Sequence, residues 1–199
     1  MSALIGKLNL IIGPMFSGKS TMLLTRYRRY GIAGKRCLLV KYAGDMRYSS
    51  SDENIVTHDQ VSYRATSCRQ LSEIASLVHN YDVICIDEIQ FYPDAHQYCD
   101  EWANAGLIVE ACGLSGDFRR RPFEQISLLI PMCDDIEHVK AVCRNSGHDA
   151  PFSKRISLEQ EQEVIGSTDK YLAVSRYYYL HSVGDNSQTP QGSVEGANA

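Results

Sequence analysis

The sequence predicts an α/β fold, a parallel, doubly wound sheet built around a phosphate-binding loop. Three observations carry that expectation. A glycine-rich stretch, Gly13-Pro-Met-Phe-Ser-Gly-Lys-Ser20, follows the apolar run Leu8 to Ile12. Further apolar runs at 37–41, 82–87 and 107–113 alternate with segments of helical spacing. The second of these runs ends in two adjacent carboxylates, Asp87 and Glu88. Short apolar runs separated by helices fit strands buried on both faces, with ligands at their C-terminal ends.

The loop comes first. It follows the pattern G-x-x-x-x-G-K-[ST], and each fixed position has a physical role. Gly13 and Gly18 let the backbone turn tightly around Pro14, Met15, Phe16 and Ser17, so that consecutive N–H groups of the loop, those of the non-proline residues, can point at one anion. Lys19 brings a point charge to the outer phosphates, Ser20 offers a hydroxyl to Mg²⁺, and the helix that starts here adds its positive end. This reads as a nucleoside triphosphate site. A bare strand-to-helix turn leaves the Lys19-Ser20 pair without a reason.

From Thr21 to Tyr30, Met22, Leu23, Leu24 and Tyr27 share one helical side, and Arg26, Arg28 and Arg29 read as a solvated face. Gly31 or Gly34 closes that helix. Cys37 to Lys41 reads as a buried strand. Residues 45–68 are polar, with a short strand or hairpin near Val61 to Tyr63. Leu71, Ile74, Leu77 and Val78 predict a helix over 67–78. Asp82 to Glu88 is a strand, Pro93 to Ala105 a helix with proline in its first turn, and Leu107 to Gly113 a strand. A helix over Pro122 to Ile130 and a last core strand over His138 to Cys143 complete the core. The character then changes. Residues 144–162 are polar and turn-rich, 163–166 are a strand candidate, and Tyr171 to His181 is aromatic and β-like. The expected organisation is a core over 1–142, a small lobe over 143–182 and a disordered tail over 183–199.

At 199 residues the chain suits one domain, or one with a small appendage. A net charge of −4 argues against a nucleic-acid surface. Seven cysteines without a C-x-x-C pair read as reduced thiols, hence a cytoplasmic protein. No signal peptide or membrane span is expected, because the first apolar run is short and leads into the loop. The six histidines show no metal-binding spacing.

Asp87-Glu88 supplies the second half of a nucleotide machine. Asp87 can hold Mg²⁺ opposite Ser20, which leaves Glu88 to take a proton from whatever attacks the γ-phosphate. An ATPase and a small-molecule kinase both fit this pair.

Four blocks go further: Gly13 to Thr21, Lys41-Tyr-Ala-Gly-Asp-Met-Arg-Tyr-Ser49, Ile86-Asp-Glu-Ile-Gln-Phe-Tyr-Pro-Asp94 and Asp169-Lys-Tyr171. Together with Leu114 to Phe118 and Arg121-Pro-Phe123, their order and spacing resemble the cytosolic-type (type II) thymidine kinase family over residues 6–179. The resemblance implies a RecA-like P-loop core with a substrate-capping lasso lobe, usually in a homotetramer. It implies ATP-dependent phosphorylation of thymidine at the 5′-hydroxyl for pyrimidine salvage, with deoxyuridine an open second substrate and thymidine triphosphate as an end-product inhibitor. Glu88 corresponds to the general base. Asp45 and Arg47 match a phosphate-side pair, with Met46 between them, and Gln90 lies in the block lining the nucleotide site. Phe118 matches the aromatic residue packed on the base. Met15, Leu114, Phe123 and Tyr171 match the pocket wall, and Gln162, Glu163, Val164, Ile165 and Gly166 the lasso strand that bonds the thymine edge. Arg119 to Arg121 fall in a loop that could steer phosphates, although a solvated turn explains them as well.

The departure from the family lies in its structural zinc site, usually two C-x-x-C pairs. Here they read Cys143-Arg-Asn-Ser146 and Ser175-Arg-Tyr-Tyr178, so only Cys143 remains and structural zinc is not expected. A rearranged Cys143, His148 and His181 site stays open, as do an ATPase and a nucleotide-binding regulator without turnover.

Overall fold

The computed structural model describes residues 6–44, 54–56, 62–157 and 170–181. In chain order, β1 (Lys7–Gly13) leads through the loop into α1 (Lys19–Ile32) and β2 (Cys37–Tyr42). A short hairpin of β3 (Asn54–Val56) and β4 (Ser62–Arg64) precedes β5 (Thr66–Cys68). Then come β6 (Val83–Ile86), α2 (Ala95–Asn104), β7 (Ile108–Leu114), α3 (Glu124–Leu129) and β8 (Asp135–His138). The last elements are β9 (Ala141–Val142), β10 (Asp149–Ala150), β11 (Phe152–Arg155), β12 (Tyr171–Val174) and α4 (Arg176–Leu180).

Six strands form one sheet in the order β5-β2-β6-β7-β1-β8, and every pair is parallel. This is the α/β core that the apolar runs predict. Its central strands lack polar alternation because both faces are covered. On one face Leu8, Leu10, Ile84, Ile86 and Val109 pack with Ala95, Cys99 and Trp102 of α2 and Ile126 and Leu129 of α3. On the other, Ile11, Leu39, Val83, Cys85 and Cys112 pack with Leu23 and Leu24 of α1. Parallel pairing brings the C-terminal ends of β1, β6 and β7 to one edge, with Gly13 opposite Leu114 and Ile86 opposite Ala111. The phosphate loop and the paired carboxylates meet there.

Several expectations are corrected. Residues 67–78 are not one helix. Thr66–Cys68 pairs with Val40 to Tyr42 as the edge strand, and 3₁₀ turns at Leu71–Ile74 and Val78–Asn80 follow. The i, i+3 spacing of Leu71 and Ile74 satisfies a 3₁₀ turn as well as an α-helix, and pairing with β2 decides the rest. The expected strand 138–143 divides: β8 ends at His138, and Ala141–Val142 pairs instead with Asp149–Ala150. Tyr171 to His181 is β only as far as Val174, after which Arg176–Leu180 is helical. The turn-rich 144–162 segment holds β10 and β11, of which β11 pairs antiparallel with β12.

Arg26 is not solvated. It donates to Glu110 on β7 at 2.6 Å and also to Glu137 on β8. Glu110 is 1% exposed and accepts further bonds from Asn9 Nδ2 and the Tyr30 hydroxyl, each at 2.8 Å. Its charge is thereby satisfied inside an apolar layer, and α1 is fixed on the sheet at its C-terminal half. Burial, reinforced by Glu110, pushes the Tyr30 phenol up. Among the described residues no helix is long and apolar enough to cross a membrane, and all seven cysteines are free thiols.

Candidate active site

The phosphate loop takes its shape from two unlike glycines. Gly18 has φ 81°, a left-handed conformation that favours glycine. Gly13 is needed for space, since a Cβ there would lie 2.4 Å from the Val139 carbonyl oxygen and 2.9 Å from Ser17 Oγ. Phe16 also takes positive φ, 63°, a strained setting for a bulky residue. The Pro14 carbonyl accepts bonds from Ser17 Oγ at 2.8 Å and Lys19 Nζ at 2.7 Å, which holds the buried ammonium across the loop. No acidic residue stands in the first turn of α1, and Gly18 supplies no side-chain cap. The helix therefore offers its positive end to an anion without an internal competitor.

Opposite lies the acidic pair. Ser20 Oγ donates to Asp87 Oδ1 at 3.0 Å, and the Glu88 backbone N–H donates to the same oxygen at 3.0 Å. Side chains on an extended strand alternate between faces, so two adjacent carboxylates would diverge. Glu88 escapes this by leaving the strand conformation, with φ 54° and ψ 44°. A non-glycine residue held there costs about 1–3 kcal/mol, a cost met by its surroundings. Glu88 Oε2 accepts Gln90 Nε2 at 2.6 Å, and Gln90 Oε1 accepts the Leu114 N–H at 3.1 Å. A backbone N–H only donates, so the amide orientation is fixed and its NH₂ must face Glu88. Glu88, Gln90 and Asp87 are all buried.

Of the expected pocket residues, Leu114 is joined to this chain of bonds. Phe118 and Tyr171 come together through Arg155, which sequence reasoning did not single out. The Arg155 guanidinium lies 3.9 Å from the Phe118 ring centroid, and its Nε donates to the Tyr171 hydroxyl at 3.2 Å. The Tyr179 hydroxyl donates to the Phe118 carbonyl at 2.8 Å. Phe123 belongs to the main core, edge-on to Phe91 with centroids 6.2 Å apart. Ser153 was also missed: its Oγ accepts the Met15 N–H at 2.9 Å. Ser153 and Arg155 are the buried residues of β11, so one strand spans from the phosphate loop to the aromatic cluster. The signal was a Phe-Ser-Lys-Arg alternation with its polar members inward, the reverse of the pattern a hydrophobic scan seeks. Asp45, Met46, Arg47 and Gln162 to Gly166 lie outside the described residues.

The Arg119 to Arg121 turn is folded around Asp117, whose Oδ1 accepts both the Arg119 and Arg121 N–H groups at 2.8 Å. Arg120 lies 4.4 Å from the Tyr179 centroid, so this turn packs on aromatic rings as well as facing solvent.

At the family's zinc position, Cys143 is buried. Burial alone would raise its thiol. Bonds from the Ser146 hydroxyl and from the backbone N–H groups of Ser175, Asn145 and Ser146 outweigh that and bring it down to about 7. His181 faces elsewhere, stacked on Tyr177 at 4.3 Å between centroids, and Cys143, His148 and His181 do not converge. Among the described residues no group of three or more His, Cys, Asp or Glu could hold a metal ion.

The arrangement joins an anion-binding loop, an oxygen pair suited to a hard cation, and a buried carboxylate linked through Gln90 to the end of β7. That is the outline of a phosphoryl-transfer site. Comparison with known proteins agrees. The chain is 41% identical to Thymidine kinase 1 of Dictyostelium discoideum over 186 residues, covering 92% of this chain and 82% of that protein. It is 44% identical to the thymidine kinase of rabbit fibroma virus over 175 residues, 88% of this chain and 97% of the viral one. With the thymidine kinase of vaccinia virus, strain Western Reserve, identity is 42% over 177 residues, 89% and 98% of the two chains. The family profile described as Thymidine kinase matches residues 6–179, and the chain belongs to the thymidine kinase family.

Proposed function

We propose that the protein transfers the γ-phosphoryl group of ATP to the 5′-hydroxyl of thymidine, with Glu88 as the base. As a member of the thymidine kinase family it is a nucleoside kinase of nucleotide salvage, with ATP as donor. The observation that carries the residue-level reading is the turn at Glu88, which sets two adjacent carboxylates to different tasks. Asp87 is bonded to Ser20 on the phosphate side, and Glu88 to Gln90 and, through it, to Leu114 on the nucleoside side.

Residues 13–20 hold the phosphates, and Lys19 offsets charge between the β- and γ-phosphates. Ser20 and Asp87 suit Mg²⁺, which takes few protein oxygens and keeps waters. A Mg²⁺ ion held by Ser20 and Asp87 would neutralise charge on the phosphate oxygens. Glu88 accepts the 5′-hydroxyl proton as that oxygen bonds to the γ-phosphorus, and the bond to the bridging oxygen breaks to release ADP. Asp45 and Arg47 complete the phosphate side. Met15, Leu114, Phe118 and Phe123 of the core form one side of the base pocket, and Tyr171 and residues 162–166, within a lasso lobe of residues 143–182, form the other. A cytoplasmic homotetramer inhibited by thymidine triphosphate completes the reading, and the free thiols support its cytoplasmic part alone.

Thymidine-dependent ADP release tests it. A kinase needs thymidine, an ATPase releases ADP without it, and a regulator releases little in either case. Selectivity sharpens the test. A site that hydrogen-bonds the thymine edge disfavours the cytosine pattern by about 10⁴-fold, while the missing methyl of deoxyuridine costs only ~1–3 kcal/mol. Comparable kcat/KM for deoxycytidine and thymidine refutes the pocket.

The zinc position yields a separate expectation. Ser146, Ser175 and Tyr178 stand where thiolates are required, and one thiolate cannot hold a tetrahedral ion. The Ser146 and Ser175 bonds to Cys143 replace metal bonds with hydrogen bonds, and Tyr178 packs against the same small cluster. Purified protein is expected to carry well under one zinc per chain, and chelators to leave its Tm unchanged. Stoichiometric zinc that survives dialysis contradicts this.

A further inference from the structure

We propose that Cys112 is a positioning residue for the metal-side carboxylate, a thiol that aims Asp87 at the Ser20 side of the phosphate site. The inference rests on the reading of Asp87 as the residue that holds Mg²⁺. Cys112 lies on β7, in the middle of the sheet and fully buried, and its Sγ is 2.8 Å from Asp87 Oδ1. That oxygen also receives the Ser20 hydroxyl and the Glu88 N–H, at 3.0 Å each. Three donors thus converge on one carboxylate oxygen from the helix, the strand end and the neighbouring strand.

Their roles differ during turnover. Ser20 would share its hydroxyl with the metal, a lone pair on the ion and the proton on Asp87, from a helix end that meets the nucleotide. The Glu88 N–H belongs to the turn itself. Cys112 is held by the ladder of β7, whose residues 108–114 pair with β1 and whose residues 108–111 pair with β6, so its thiol does not move when the substrate arrives. A protonated thiol is a weak donor beside most partners, but next to a buried carboxylate its bond is charge-assisted. A carboxylate reaching a metal through water depends on its torsion, and a fixed partner on one oxygen sets that torsion. No apolar residue of similar size would do this, although one would serve the core equally well.

The test compares Cys112→Ala and Cys112→Ser with the wild-type chain, measuring kcat, KM for thymidine and the half-saturating Mg²⁺ concentration. Cys112→Ala is expected to raise the Mg²⁺ requirement and lower kcat, each by about 3–10-fold, with KM for thymidine within twofold. Cys112→Ser keeps a donor within hydrogen-bond reach and is expected to restore both to within about twofold. A merely structural role would lower Tm without moving the Mg²⁺ requirement. An alanine variant with wild-type Mg²⁺ dependence, or a folded serine variant as impaired as alanine, overturns the inference. Asp87→Asn separates the two levels. If it leaves Mg²⁺ dependence unchanged, the reading of Asp87 has failed, and if it abolishes turnover while Cys112→Ala behaves as wild type, only the role of Cys112 has failed. Should the alanine variant not fold, the serine variant and the Mg²⁺ titration of Cys112→Val, which fills the space without a donor, decide the matter by the same criteria.

Discussion

Replacing Lys19 by alanine is expected to abolish phosphoryl transfer while thymidine still binds. Lys19 is the buried cation of the loop, 8% exposed, with Nζ held 2.7 Å from the Pro14 carbonyl at the mouth of α1. Charge grows on the oxygens between the β- and γ-phosphates as the bond breaks, and a preplaced ammonium in a site with little water stabilises that charge without reorganising. Loss of one such donor costs on the order of 10²–10³-fold in kcat, and a full positive charge contributes more than a neutral donor. In the proposed site the base is enclosed elsewhere, around Phe118 and Tyr171, which Arg155 joins, so its affinity has no reason to fall. Steady-state ADP release and calorimetric titration with thymidine measure the two halves separately. Loss of thymidine binding in a variant whose circular dichroism shows an intact fold contradicts this division of labour.

The parallel core was legible because its signal is local. Ile84 to Ile86 and Val109 to Cys112 are buried on both faces, and nothing but a two-sided sheet uses such runs between helices. The phosphate loop was legible because Gly13, Gly18, Lys19 and Ser20 each answer a separate physical need at fixed spacing. Long-range partnerships were not legible. Arg26 sits among two other arginines on a helix, and its partner lies 84 residues away. A clue existed in Glu110, one carboxylate inside an apolar strand, which had to be paired with something. The edge strand Thr66–Cys68 was hidden because its sheet position is set by β2, not by its own residues. The left-handed turn at Glu88 leaves no mark in the sequence, although it decides where both carboxylates point. Ser153 and Arg155 escaped notice because buried polar residues invert the usual pattern, and their partners, Met15 and Phe118, lie far back in the chain.

Glu88→Gln is expected to lower kcat by roughly 10²–10⁴-fold with little change in thymidine affinity. The substitution is nearly isosteric, and its consequences inside the site are narrow. Gln90 Nε2 donates to Glu88 Oε2 at 2.6 Å, and a glutamine carbonyl at the same place still accepts that bond. The Gln90 link to the Leu114 N–H therefore survives, and with it the shape of the proposed nucleoside side. The backbone at 88 keeps its left-handed turn, because the Glu88 N–H still bonds Asp87 and the 3₁₀ turn Ile89–Phe91 still follows. What disappears is the ability to take a proton, since an amide is not a base at neutral pH. If the 5′-hydroxyl gives its proton to this carboxylate, the chemical step slows and binding does not. The same variant distinguishes a base from a mere support, because a supporting role is preserved by glutamine and a proton acceptor is not. Single-turnover phosphorylation with saturating thymidine and ATP reads the chemical step directly. A variant that keeps more than about a third of the wild-type rate, against an expected loss of at least about 10²-fold, removes Glu88 from the role of base.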